Sequence, residues 1–202
     1  MKANTYYEEF VALLTDFFVS NGHVLTSKVE LDPTPESKRY SGLIFSLDGK
    51  KCIYRKANIT PERPGAFVAL WKRPSPMNLI NDEHQKPIPL TSDELDYLFI
   101  QVEQPADFCG EVGTEHFPQV GLFIFPVSLL MEKGVIASIT KKGKTGFRVF
   151  PPWTKDRGKA GIHVFSASAK KTQRWQQPYF VVLDEGHYCV FPLLVKPYKK
   201  AL

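Results

Sequence analysis

Apolar residues at Phe10, Leu13, Leu14, Phe17 and Phe18 repeat at the spacing of one helix face, which predicts a helix from Thr5 to Asn21. Thr5 and Glu8 form a capping box, in which hydroxyl and carboxylate each satisfy an orphan backbone N–H. Asn21-Gly22 supplies the stop. The pattern then shifts to strands. Tyr40 to Leu47 and Lys51 to Ala57 flank Asp48-Gly49, a strong hairpin signal. After Pro61 and Pro64, Ala66 to Arg73 is a mostly continuous apolar run ending in two cations, the pattern of a central strand buried on both faces. Tyr97 to Glu103 and Gly121 to Phe125 predict two more strands. Val127 to Lys133 reads as a short helix closed by Gly134, and Val135 to Thr140 with Thr145 to Phe150 as a hairpin around Lys141 to Lys144. Ser166 to Gln177 reads as a helix capped by Ser166 and ended by Pro178. Tyr179 to Asp184 and His187 to Phe191 form a last hairpin over Glu185-Gly186, while Asn78 to Ser92 and Pro105 to Gln119 read as loops.

Helices at both ends of a strand-rich middle place the chain in the α+β class, with a central mixed or antiparallel sheet flanked by helices. At 202 residues, 43% apolar and 23% charged, the chain can bury a core, and a single domain over 1–202 is expected. The 16 Pro are scattered rather than pooled into a linker. No stretch approaches the roughly 20 apolar residues that cross a bilayer, so no membrane partner is expected. The first ten residues are acidic and aromatic, unlike a secretory leader. Cys52, Cys109 and Cys189 are odd in number and far apart, which fits a reducing cytoplasm.

Charge changes the picture more than composition does. Residues 133–202 hold 14 Lys/Arg against 3 Asp/Glu, a balance of +11, while residues 1–132 hold 12 against 18, a balance of −6. The net charge of +5 hides this polarity. Clustered cations release counterions when they neutralise phosphates, so DNA or RNA is the expected partner; a solvated basic face with no ligand is the alternative. The helix from Ser166 to Gln177 carries the sharpest signal. Lys170, Lys171 and Arg174 share one side of it, and Gln173 and Gln176 add amides suited to phosphates or base edges. Trp175 either stacks on a base or anchors the helix to the sheet.

Enzyme chemistry finds less support. Gly143-Lys144-Thr145 looks like a phosphate loop, but position 138 is Ser where the first Gly is needed, and a strand pattern follows instead of a helix. A basic hairpin tip that touches backbone phosphates is the better reading of this segment. The pairs Cys109/His116 and His187/Cys189 lack common zinc spacing, so no metal site is expected. No GxSxG elbow appears. Glu30, Asp32 and Glu36 cluster before the first strand, and Asp93, Glu94 and Asp96 before the fourth. A two-metal nuclease needs such acids to converge, with an acid-x-Lys strand, and the strands offer Arg55, Lys56, Lys72 and Arg73 instead.

Four ordered blocks are recognisable as strings: ITPERPGAFVALWKR (Ile59 to Arg73), GLFIFPVSLLMEKGVIAS (Gly121 to Ser138), GKTGFRVFPPW (Gly143 to Trp153) and AKKTQRWQQPYF (Ala169 to Phe180). Together they resemble the MepB family, bacterial proteins named for a member encoded beside a multidrug efflux pump and its regulator. The resemblance runs from about Tyr40 to Phe180. It implies a fold similar to restriction-endonuclease-like nucleases and a nucleic-acid-binding role, with a link to drug-efflux or stress regulation. Many members carry Lys where this chain has Asn58 and Arg63, and Asn58 removes one charge from the strand expected to face phosphates. The expected nucleic-acid contacts are Arg55, Lys72, Arg73, Lys144, Arg148, Lys171, Gln173, Arg174, Trp175 and Gln176. No catalytic residue is assigned and no cofactor is expected, with magnesium entering only under a nuclease reading. A metal-dependent phosphodiesterase is the second reading. A module that binds a regulatory protein is the third.

Overall fold

The computed structural model describes residues 5–73, 86–104 and 119–183. Helix α1 spans Thr5–Phe17 and passes into a 3-10 turn, Val19–Asn21. Gly22 ends it at φ 88°, a left-handed backbone that glycine adopts without a Cβ penalty. The strands are β1 (Glu30–Leu31), β2 (Leu43–Leu47), β3 (Lys50–Lys56), β4 (Asn58–Ile59), β5 (Ala66–Ala69), β6 (Trp71–Lys72), β7 (Ile88–Pro89), β8 (Tyr97–Glu103) and β9 (Val120–Pro126). Then follow α2 (Val127–Glu132), β10 (Gly146–Val149), α3 (Ala167–Gln176) and β11 (Phe180–Val182).

Six strands form the main sheet in the order β1-β2-β3-β8-β9-β11. Only the β3–β8 pair is parallel, so the sheet is mixed and the class is α+β. In the β2–β3 hairpin Leu47 pairs with Lys50, leaving Asp48 and Gly49 as the turn, at φ 51° and 74°. Two left-handed residues match the twist of the flanking strands, which is why Asp-Gly works here.

Strand alternation sends side chains to two separate cores. Leu43, Phe45, Cys52, Tyr54, Phe99, Leu122 and Ile124 meet Phe10 and Leu14 of α1 and Phe18 just after it. Phe10 lies against Tyr54 with ring centroids 3.9 Å apart. Ile53, Leu98, Ile100, Val102, Phe123 and Phe125 point the other way. There a three-stranded sheet in the order β10-β5-β4 covers them with Val68, Phe147 and Val149, while Trp175 and Tyr179 pack from α3 and the turn after it. One face of the main sheet is therefore closed by a helix and the other largely by a second sheet.

Two sequence expectations need correction. Ala66 to Arg73 is not one strand buried on both faces. It is split at Leu70 into β5, whose residues alternate between buried and half-buried, and β6, which pairs with β7. Leu70 N still donates to Thr145 O, and its side chain is fully buried, so the run stays apolar although the strand bends out of its sheet. Val135 to Thr140 is also not a strand. Val135 and Ile136 turn into the core, and β10 pairs with β5 instead. The second strand of the expected C-terminal hairpin, most of the two expected loops, and the Thr5 side chain lie outside the described residues.

Cys52 is buried between sheet and α1, and that burial pushes its thiol from about 9 up to about 12. It should resist alkylation in the folded protein and react once the protein is unfolded, as peptide-mapped iodoacetamide labelling would show. A raised folded-state value means the thiol's contribution to stability is whole below the unfolded value near 9 and is lost as pH rises towards 12. Rapid labelling of Cys52 in the native protein would contradict this packing.

Candidate functional site

Between β10, α3 and the end of α2 opens a cleft of about 420 Å³. Lys133, Lys144 and Arg148 bring charge to its walls, Phe147, Phe150 and Trp175 bring rings, and Ser166, Ser168 and Thr172 bring hydroxyls. No carboxylate lines it among the described residues. The cleft exists because α3 is fastened to the end of β10. Gln176, with no exposed surface, accepts from Phe150 N at 2.8 Å and donates to Arg148 O at 3.0 Å. Gln173 Nε2 donates to Pro151 O at 2.9 Å. At the other end of α3 the Ser166 hydroxyl accepts from Ala169 N at 3.2 Å, and the first turn holds no acid to offset the positive end of the helix dipole. Trp175 packs on Phe125 with ring centroids 5.6 Å apart, and Lys133 Nζ lies 6.0 Å from its indole.

Residues 34–182 match the family model described as MepB-like. The chain belongs to the MepB-like family. A solved structure, "Crystal Structure of MepB", is similar with a TM-score of 0.58 and 28% sequence identity, over 88% of this chain and 98% of that one. No curated protein matches the chain. The MepB-like span begins just before the 3-10 turn Pro35–Tyr40 and ends at the last residue of β11. It therefore takes in the second sheet, every strand of the main sheet but the edge strand β1, and every residue of the cleft, and leaves out α1.

Within this MepB-like frame the ten expected contact residues separate clearly. Lys144, Arg148 and Trp175 come together in the cleft. Lys171 lies beside it. At about 100° per residue along α3, Ser168, Thr172 and Trp175 face the cleft, Lys171 borders them, and Lys170 and Arg174 point to the far side. Lys144, Lys171 and Arg174 are exposed, and none forms an ion pair with another described residue. Lys133 and the three hydroxyls were missed by sequence reasoning. Lys133 reaches the cleft only through the turn after α2, closed by Gly134 at φ 67°, and no local pattern reports that.

Arg55 is the clearest correction. It is 3% exposed, its guanidinium donates to Asp32 and to Tyr54 O, and burial pushes it below its ordinary value while Asp32 opposes the shift. A cation held inside the core cannot reach a phosphate at the surface. Gln173 and Gln176 are engaged by backbone groups of the strand end rather than offered to a ligand. Trp175 is half-buried on Phe125, so anchoring takes most of its ring. Arg148 keeps its charge at the cleft wall but directs donors to Thr60 Oγ1 (2.8 Å) and to the carbonyls of Pro64 and Gly65 (3.3 Å each). Burial and nearby Arg63 hold its guanidinium below the usual value. Lys72 pairs with Glu94 at 2.8 Å and Arg73 lies over Trp71, both outside the cleft lining.

Three of the carboxylates considered for a metal, Asp32, Glu94 and Asp96, are engaged elsewhere. Asp32 holds Arg55, Glu94 accepts from Thr91 N and Oγ1 as well as Lys72, and Asp96 accepts from Lys51 N at 2.8 Å. Among the described residues no three His, Cys, Asp or Glu converge. Cys109, His116, His187 and Cys189 lie outside the described residues. No helix among the described residues is long and apolar enough to cross a membrane.

Proposed function

We propose that this MepB-like protein binds nucleic acid through the cleft between α3 and β10. The observation that carries the reading is the gathering of three cations, three hydroxyls and three aromatic rings in one cleft without a lining carboxylate. Phosphates take the cations and hydroxyls, and the rings offer apolar contact to sugars and bases. The charge bias of residues 133–202 supports the same reading, since every residue lining the cleft falls between 133 and 175.

Fluorescence anisotropy with single- and double-stranded DNA and RNA at two salt concentrations tests this directly. Affinity should fall steeply as salt rises, because each neutralised phosphate contributes about 0.9 to the logarithmic slope on duplex DNA. Lys144→Ala with Lys171→Ala should flatten that slope by about two units, whereas Arg174→Ala, on the far side of α3, should change it little. Binding that ignores salt, or a double variant with an unchanged slope, would remove the cleft from the interface. In magnesium, no cleavage that depends on Glu94 or Asp96 is expected, because Lys72, Thr91 and Lys51 already engage those acids. Cleavage abolished by Glu94→Ala would restore the nuclease reading.

A further inference from the structure

Ile139 is 106% exposed, more than any other large apolar side chain among the described residues. It is nonetheless firmly held. Ser138 N donates to Lys141 O at 2.8 Å and Lys141 N donates back to Ser138 O at 3.3 Å, with Ser138 Oγ also accepting from Lys141 N. This reciprocal pair closes a tight reversal with Ile139 and Thr140 at its tip. The base of the turn is pinned on both sides. Ala137 N donates to Leu90 O at 2.9 Å, Lys144 N donates to Val135 O at 2.8 Å, and Lys141 Nζ donates to Glu132 O at the end of α2. Gly143 stands at φ 76°, where a Cβ would meet Ala137 N at 2.7 Å, so the chain passes closely there. Lys142 and Lys144 are exposed on the strand-ward arm, and Lys144 also lines the cleft.

We propose that Ile139 is an apolar wedge that enters a stacked base step of the nucleic acid held in the cleft, with Lys142 and Lys144 on the flanking phosphates. This rests on the nucleic-acid reading above. A branched aliphatic group on a rigid turn can push neighbouring bases apart, and cations beside it keep the backbone close while it does so. The loss of stacking makes an already weakened step, such as a mismatch, the preferred target. A bilayer surface would also accept an isoleucine among lysines. A single side chain buries little apolar surface there, however, and Lys144 ties the turn to the cleft rather than to a flat face.

The test compares a perfectly paired duplex with the same duplex carrying one central mismatch beside 2-aminopurine, titrated with wild type, Ile139→Ser and Ile139→Leu at two salt concentrations. Wild type and Ile139→Leu should prefer the mismatch by about tenfold, as expected for burying one aliphatic side chain, and should raise the 2-aminopurine fluorescence. Ile139→Ser should bind both duplexes equally, with the wild-type salt slope and no fluorescence rise. Because the side chain is fully exposed, the fold should survive both substitutions, as circular dichroism would verify. A steep salt slope in wild type without preference or fluorescence change would overturn the wedge and leave the cleft reading intact. Absence of binding to either duplex would overturn both. Binding to phosphatidylserine vesicles that is lost in Ile139→Ser, with duplex binding unchanged, would overturn the wedge in favour of a membrane contact.

Discussion

Asp32→Ala is expected to cost about 3–5 kcal/mol of stability, because it leaves a buried guanidinium without its counter-charge. The side chains of Arg55 and Asp32 are 3% and 6% exposed, so water cannot replace the lost partner. The same carboxylate accepts from Thr34 N at 2.7 Å, and that amide loses its acceptor too. Arg55→Lys should also be costly. A lysine carries one ammonium where the fork of Arg55 reaches both Asp32 and Tyr54 O. Replacing both partners, as Asp32→Leu with Arg55→Met, should cost much less than either single change, since an apolar pair of similar volume has no charge to desolvate. Urea denaturation of wild type, Asp32→Leu, Arg55→Met and the double variant measures the coupling. Single variants that each cost under about 1 kcal/mol would show that the pair is not a structural anchor.

Gln176→Leu should be nearly as damaging, at about 2–4 kcal/mol, since it leaves Phe150 N–H and Arg148 C=O without partners in a dry environment. Its effect should be local in a way the first is not. Amide exchange at Phe150 should rise most, because that N–H is held by the glutamine alone among the contacts described. Gln176→Glu separates bonding from packing. A carboxylate can still accept from Phe150 N but cannot donate to Arg148 O, so it should fall between leucine and wild type only if protonated, and improve as pH falls. Equal stability of all three proteins would mean that α3 is fastened by its Trp175 contacts instead. A loosened α3 should also weaken the nucleic-acid binding proposed for the cleft, since Thr172 and Trp175 ride on it.

The elements legible in the sequence are those whose signals are local. Gly22 stops the 3-10 turn that continues α1, Asp48-Gly49 turns the first hairpin, and Ser166 caps α3, each through neighbours a few residues away. β8 and β9 also emerge as expected, since a run of apolar residues buried on both faces is hard to place elsewhere. What failed depended on distant partners. Arg55 looks like a surface cation until Asp32, 23 positions earlier, is brought beside it. Gln176 looks like a ligand-facing amide until Phe150, 26 positions earlier, presents an unpaired N–H. The split at Leu70 reflects a second sheet whose strands come from either side of β8 and β9, which no period in a single window reports. The cleft was half legible: Lys144, Arg148 and Trp175 were expected among the contacts, but Lys133 and the hydroxyls were not.

Helix α1 and the residue after it lie outside the span matched by the family model, yet they supply Phe10, Leu14 and Phe18 to one face of the main sheet. The matched span is thus not autonomous. Cut free of residues 5–22, it would turn Phe45, Tyr54, Phe99 and Ile124 to water, a continuous greasy plane that invites self-association. Any protein built on that span alone must recruit a replacement cover, from its own other end or from a neighbour, and the simplest neighbour is a second copy exchanging its leading helix.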